Sequence, residues 1–270
     1  MERVEIDGIT LEYEESGSGE PVLFIHGALM ADTYRPLLNQ PALKGYRFIG
    51  YCRRGYAGSS PPNGALSVSD HAADALALLQ KLDAAPAHLV GHSSGGAIAL
   101  QLALDAPKAV RSLTLLEPAL LDVPSGGALF EKLGAAGPVY EAGDKAGAVD
   151  TFLSGVCGQH YRDVVDARLP GTLDQAAADA DAFFTGELPA VGGWAFTQAD
   201  AARISQPVLS VMGVETQSAV GLPVYTEVHE RVLDWFPNAR PFVLPNAAHL
   251  LQVENPQGMA EALSQFLAEN

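Results

Sequence analysis

The sequence predicts an α/β fold: a mainly parallel central sheet flanked by helices, with a helical insertion after the sixth strand. Three observations carry this expectation. Up to about residue 120, short apolar runs of strand length alternate with stretches at helical spacing. From about Leu121 to Ile204 the strand signal fades, and helical patterns interrupted by Gly126-Gly127, Gly137-Pro138, Pro170-Gly171 and Gly192-Gly193 take over. Strand signals then return at Val208–Met212 and Pro241–Leu244. Residues 1–120 and 205–270 are therefore assigned to the core, and residues 121–204 to a helical lid over the sheet's carboxyl edge, where open α/β sheets bind ligands.

The elements follow in order. Val4, Ile6 and Ile9 flank the turn signal Asp7-Gly8, so the chain opens with a hairpin continued by Leu11-Glu12-Tyr13-Glu14. After the break at Ser16-Gly17-Ser18-Gly19, Val22-Leu23-Phe24-Ile25 is a continuous apolar run, as in a strand buried on both faces. Arg47–Tyr51 is the next strand. Ser67 and Asp70 have capping-box spacing ahead of a helix whose apolar stripe is Val68, Ala72, Leu76, Leu79 and Leu82. Ala87–Val90 is a strand, Gly95–Ala106 an Ala/Leu-rich helix stopped at Pro107, and Arg111–Leu116 the sixth strand. A closing helix after Pro256 presents Met259, Leu263, Phe266 and Leu267 on its apolar face.

Composition narrows the class. Of 270 residues, 48% are hydrophobic and 18% charged, which describes a globular chain with a large core. Two cysteines, Cys52 and Cys157, cannot build a disulfide framework, and a cytoplasmic location is the expectation. No basic-then-apolar leader and no run of about 20 apolar residues is visible. A net charge of −16 argues against nucleic acid or an anionic membrane as partner.

The chemistry is signalled by Gly91-His92-Ser93-Ser94-Gly95, set between a strand and a helix. A chain reversing that sharply forces strained backbone angles on the serine, and only very small side chains fit two positions away; Gly91 and Gly95 stand there. The strain lifts the Ser93 hydroxyl above the sheet as a nucleophile. No phosphate-loop or dinucleotide fingerprint competes for the same glycines.

From His26-Gly27 through this elbow to His249, the element order resembles the α/β-hydrolase superfamily, and most of all its lid-bearing esterase, lactonase and haloalkane-dehalogenase-like branch. The resemblance implies a general base in the loop after the last strand, and among seven histidines His249 holds that place. The usual acid position follows the strand 208–212, but here Gly213-Val214-Glu215-Thr216 puts threonine at that spot and a glutamate one residue early. Some haloalkane dehalogenases and fungal zearalenone lactonases instead carry the acid at the end of the strand after the nucleophile helix. Glu117 stands there before Pro118 and is preferred, with Glu215 the alternative. His26-Gly27-Ala28-Leu29 resembles the superfamily's oxyanion-loop element, which points to the backbone amides of Ala28 and Ser94 as donors and to His26 as a brace. Arg53–Ser59 resembles the Asp-x-Arg-Gly-x-Gly-x-Ser loop, with Cys52 in place of the aspartate.

The expected activity is hydrolysis of a carboxylic ester or lactone of a small to medium hydrophobic molecule through an acyl-enzyme on Ser93, with no metal or organic cofactor. A zearalenone-type lactonase, a carbon–carbon bond hydrolase, a perhydrolase and a non-catalytic ligand receptor remain open alternatives. Serine at position 93 disfavours dehalogenase and epoxide-hydrolase chemistry, which need a carboxylate. The expected partners are the small-molecule substrate and a second copy of the chain in a homodimer.

Overall fold

The computed structural model describes residues 1–270. Its eight strands are β1 (Glu2–Ile6), β2 (Ile9–Gly17), β3 (Glu20–Ile25), β4 (Tyr46–Cys52), β5 (Ala87–His92), β6 (Val110–Leu116), β7 (Val208–Gly213) and β8 (Ala239–Leu244). They form one sheet in the order β1-β2-β4-β3-β5-β6-β7-β8. β1 and β2 pair antiparallel, as do β2 and β4, and every pair from β4 to β8 is parallel. The opening hairpin closes with Ile6 opposite Ile9, and both turn residues have positive φ, 44° at Asp7 and 81° at Gly8. An Asp-Gly pair tolerates that conformation, and it matches the strands' right-handed twist.

The period-2 alternation of buried strands divides the core between the two faces of the sheet. Leu23 and Ile25 of β3 belong to the larger apolar cluster, whereas Val22 and Phe24 belong to the smaller one. The larger cluster is covered by α1 (Val68–Lys81) and α2 (Ser94–Asp105), the smaller by the closing helix, whose Met259, Leu263, Phe266 and Leu267 are all buried. Each fully buried aliphatic or aromatic side chain contributes roughly 1.5–3 kcal/mol. The Ser67–Asp70 capping box forms at the start of α1. The helix is turned slightly from the expected stripe: Ala75 and Leu78 are buried with Val68, Ala72 and Leu79, while Leu76 and Leu82 are only partly buried.

Between β6 and β7 the chain is helical, including α3 (Gly126–Leu133) and α4 (Lys145–Cys157) and ending at Gln198–Ala201. A π-helical turn, Phe183–Glu187, lies within this segment. After β7 come α5 (Val224–Trp235), β8 and α6 (Pro256–Ala268). Tyr34 ties the carboxyl ends of β3 and β5 together by donating toward Ile25 O at 3.0 Å and Val90 O at 3.2 Å, at the edge where the candidate residues gather. No helix is long and apolar enough to cross a membrane.

Candidate active site

Ser93 sits between β5 and α2 with φ 53° and ψ −119°, a conformation that costs of order 1–3 kcal/mol and must be held by its surroundings. Its amide donates to Leu116 O at 3.0 Å, and its carbonyl accepts from Gly96 at 2.9 Å and Ala119 at 2.8 Å. Both glycines are required: Gly91 presses on the backbone of Gly95, and Gly95 on the end of β3. A Cβ on Gly91 would meet Gly95 O at 2.5 Å and the Gly96 Cα at 2.8 Å. One on Gly95 would strike the carbonyls of Ile25 and His26 at the end of β3. Gly96, not singled out by the sequence, is also needed, because its Cβ would meet Pro118 Cβ at 2.6 Å.

Glu117 and His249 are brought together from the end of β6 and the loop after β8. His249 Nδ1 and Glu117 Oε2 are 2.6 Å apart, and both side chains are buried. The other carboxylate oxygen, Oε1, accepts from the Gly213 amide at 2.8 Å and the Thr216 hydroxyl at 2.6 Å. The loop after β7 therefore supplies donors to Glu117 and no carboxylate to His249: Thr216 clamps the glutamate of the neighbouring strand. Glu117 itself is held at φ 42°. Glu215, the alternative, is exposed at the start of the short helix Thr216–Val220 and makes no side-chain hydrogen bond to His249.

Burial lowers the His249 imidazole well below the ordinary histidine value, so it is neutral at neutral pH. Burial raises the Glu117 carboxyl, while the Thr216 and Gly213 bonds pull it back down. A carboxylate accepting at Nδ1 places the ring proton there and leaves the Nε2 lone pair free to act as a base. That nitrogen faces Tyr225 of α5, whose hydroxyl is 3.3 Å away and whose ring stacks on the imidazole at 4.3 Å. No hydrogen bond joins the Ser93 hydroxyl to His249 in this arrangement. His92, the residue before the elbow serine, donates from Nε2 to the His249 carbonyl at 2.8 Å and so braces the histidine loop. Sequence patterns gave no signal for Tyr225, Thr216 or His92 in these positions.

The loop after β3 reaches the same edge. His26 Nδ1 lies 2.7 Å from Gly27 O, and its Nε2 accepts from the Arg53 amide at 3.1 Å, a bracing arrangement. The Ala28 amide donates to no acceptor in the protein, and the Ser94 amide stands at the first turn of α2, where N–H groups have no intrahelical partner. Gly27 packs against the elbow so closely that a Cβ would meet His92 Nδ1 at 2.9 Å and Ser93 Cβ at 3.2 Å. In the loop after β4, Arg54 pairs with Asp74, and Ser59 donates to Cys52 O at 2.6 Å. Burial pushes the Cys52 thiol up to about 12, which leaves it un-ionised and no nucleophile.

Residues 20–153 match the family model of the α/β hydrolase fold. A Mycobacterium tuberculosis protein provisionally named a non-heme bromoperoxidase is 30% identical over 96% of this chain and 98% of its own. The chain belongs to the α/β-hydrolase superfamily. The acetyltransferase component of the acetoin cleaving system of Cupriavidus necator is 36% identical, but over only 42% of this hydrolase, which spans 31% of that relative's length. Among solved structures, Est816, described as an N-acyl homoserine lactone degrading enzyme, superposes with a TM-score of 0.74 at 25% identity, covering 98% of this chain and all of that one.

Above Ser93 the hydrolase has a narrow cavity of about 40 Å³. Its walls are mostly apolar: Leu121, Leu129, Phe152, Val156, Phe183 and Val191 among them, with Ala28, Ser94, Tyr225 and Glu187 at the polar end. Phe130, Phe152 and Phe183 are the aromatics of the helical segment that line it, whereas Tyr140 and Phe184 stack on each other behind that wall, Phe184 packing edge-on against Phe152 and Phe183. A larger open groove of about 480 Å³ shares Ala119, Leu121, Phe130 and Val191 with the cavity and continues past Trp194 and Phe196.

Proposed function

We propose that this hydrolase cleaves a carboxylic ester or lactone through an acyl-enzyme on Ser93, with His249 as general base and Glu117 as the triad acid. The observation that carries the reading is the buried 2.6 Å contact between Glu117 and His249 Nδ1 beside an elbow serine held at positive φ. Substrate binding directs the Ser93 hydroxyl onto Nε2 in place of Tyr225. Ser93 Oγ then attacks the carbonyl carbon as its proton passes to Nε2, and Glu117 stabilises the imidazolium. The carbonyl electron pair moves onto oxygen, where the Ala28 and Ser94 amides receive it; each such donor is worth roughly 10²–10³ in kcat. Collapse expels the alcohol, which takes the proton from His249. Water, activated by the same nitrogen, repeats the sequence and releases the acid.

The helical segment between β6 and β7 acts as the lid, because its residues form most of the cavity's apolar wall. A cavity of this size suits a short acyl group, with the bulk of a larger substrate in the adjoining groove. The likeness to a lactone-degrading enzyme favours a cyclic ester as the second reading. Hydrolysis of p-nitrophenyl butyrate and of a γ-lactone should both be lost in Ser93→Ala. Retention of either activity in that variant would overturn the mechanism, and the ratio of the two in the wild type separates the readings.

A further inference from the structure

One buried ion pair near the site has no part in the triad. Arg53, in the loop after β4, is fully buried and places Nη2 2.9 Å from both Glu187 oxygens. Glu187 closes the π-helical turn of the lid, lines the cavity beside Ser94 and also accepts from the Tyr56 hydroxyl. An isolated charge at such depth costs several kcal/mol, so neither partner is tolerable without the other. The same Arg53 Nη2 lies 2.9 Å from Gly27 O, the carbonyl that His26 Nδ1 also approaches at 2.7 Å.

That carbonyl belongs to the peptide whose N–H is the Ala28 amide. In a trans peptide, C=O and N–H point in opposite directions within one rigid plane. Two donors pulling the Gly27 oxygen toward His26 and Arg53 therefore aim the Ala28 N–H the other way, and Ala28 lines the cavity with Ser93. A peptide that rotated would turn its oxygen toward the developing oxyanion and repel it. Gly27, with no Cβ, has little of its own to resist such rotation.

We propose that Arg53 and Glu187 are positioning residues: the lid's carboxylate holds the guanidinium, the guanidinium holds Gly27 O, and the Ala28 amide is thereby kept aimed at the oxyanion. The oxyanion hole is then complete only while the π-helical turn of the lid is seated, so lid closure switches on catalysis as well as enclosing substrate. This rests on the acyl-transfer reading given above.

The test uses the double variant Arg53→Met/Glu187→Leu. The double variant removes both charges and leaves neither orphaned, an exchange that is often neutral or stabilising for buried pairs. It should keep the wild-type Tm or exceed it, while kcat for p-nitrophenyl butyrate falls by about 10- to 100-fold, part of the loss expected for a missing oxyanion donor, with KM changed less than about threefold. The second readout compares the ester with its thiono analogue, whose sulfur accepts hydrogen bonds poorly. The wild type should prefer the oxygen ester strongly, and the double variant should lose about tenfold of that preference. Unchanged kcat and unchanged preference in a folded double variant would overturn the proposal, as would equal losses on both substrates. Absence of Ser93-dependent hydrolysis in the wild type would instead overturn the acyl-transfer reading on which it stands.

Discussion

Replacing Glu117 by glutamine changes one atom, and the structure determines how that atom must turn. Oε1 is fixed as an acceptor by two donors, the Gly213 amide at 2.8 Å and the Thr216 hydroxyl at 2.6 Å. An amide NH₂ cannot accept from either, so the glutamine must keep its oxygen there and present the NH₂ to His249 Nδ1, where the carboxylate stood 2.6 Å away. His249 then has to offer a lone pair at Nδ1 and carry its proton on Nε2, the tautomer that cannot accept from Ser93. The analogous tautomer error in the serine-protease triad costs about 10⁴ in kcat, or roughly 5.4 kcal/mol. Stability should not suffer, because burial already disfavours the charged carboxyl at this position. Steady-state kinetics on p-nitrophenyl butyrate with a parallel melting curve reads both quantities. A kcat loss below tenfold, or a loss of that size in Glu215→Gln with Glu117→Gln unaffected, would refute the assignment.

Tyr225→Phe removes the hydroxyl that occupies Nε2 at 3.3 Å, a weak contact worth about 1 kcal/mol or less, so kcat/KM should stay level or rise up to about fivefold; a hundredfold fall would make the hydroxyl part of the reaction. Gly95→Ala drives a Cβ into backbone carbonyls of Ile25 and His26, and the variant should fail to yield folded protein, as judged by circular dichroism and gel filtration; a folded, active product would contradict the elbow packing. Phe183→Ala opens the cavity wall and should shift the preferred p-nitrophenyl ester to a longer acyl chain at a stability cost of about 3–5 kcal/mol; an unchanged chain-length profile would place the acyl group elsewhere. Stability should fall on acidification from pH 6.5 to 4.5. Burial holds His26, His71, His88, His92, His229 and His249 below their unfolded values, His71 at about 4 and His92 at about 3, so in that window the unfolded chain binds more protons than the folded one. Glu254, raised by burial to about 7, offsets part of this without reversing its sign. A Tm independent of pH over that range would refute the burial of neutral histidines.

Local pattern made the strands, the Ser67 cap and the elbow legible, because each depends on residues a few positions apart. Glu117 could be proposed because the family resemblance names the end of the strand after the nucleophile helix as an alternative acid position, and a glutamate stands there. The groups that complete the site had no such signal. Thr216 read as a missing acid, and only the register of β6 beside β7 shows it reaching across to Glu117. Arg53 and Glu187 are 134 positions apart, and their pairing depends on how the helical segment after β6 packs on the core. Periodicity reports which face of an element is buried. It carries no information on which distant polar group that face meets.

The central claim is that Ser93 becomes covalently acylated, and the most direct test is intact-protein and peptide mass spectrometry after reaction with a p-nitrophenyl alkylphosphonate. The account predicts one phosphonyl adduct per chain, located on Ser93, forming with loss of ester hydrolysis and absent from Ser93→Ala. A folded wild type that hydrolyses the ester yet carries no adduct, or carries it on another residue, would contradict it.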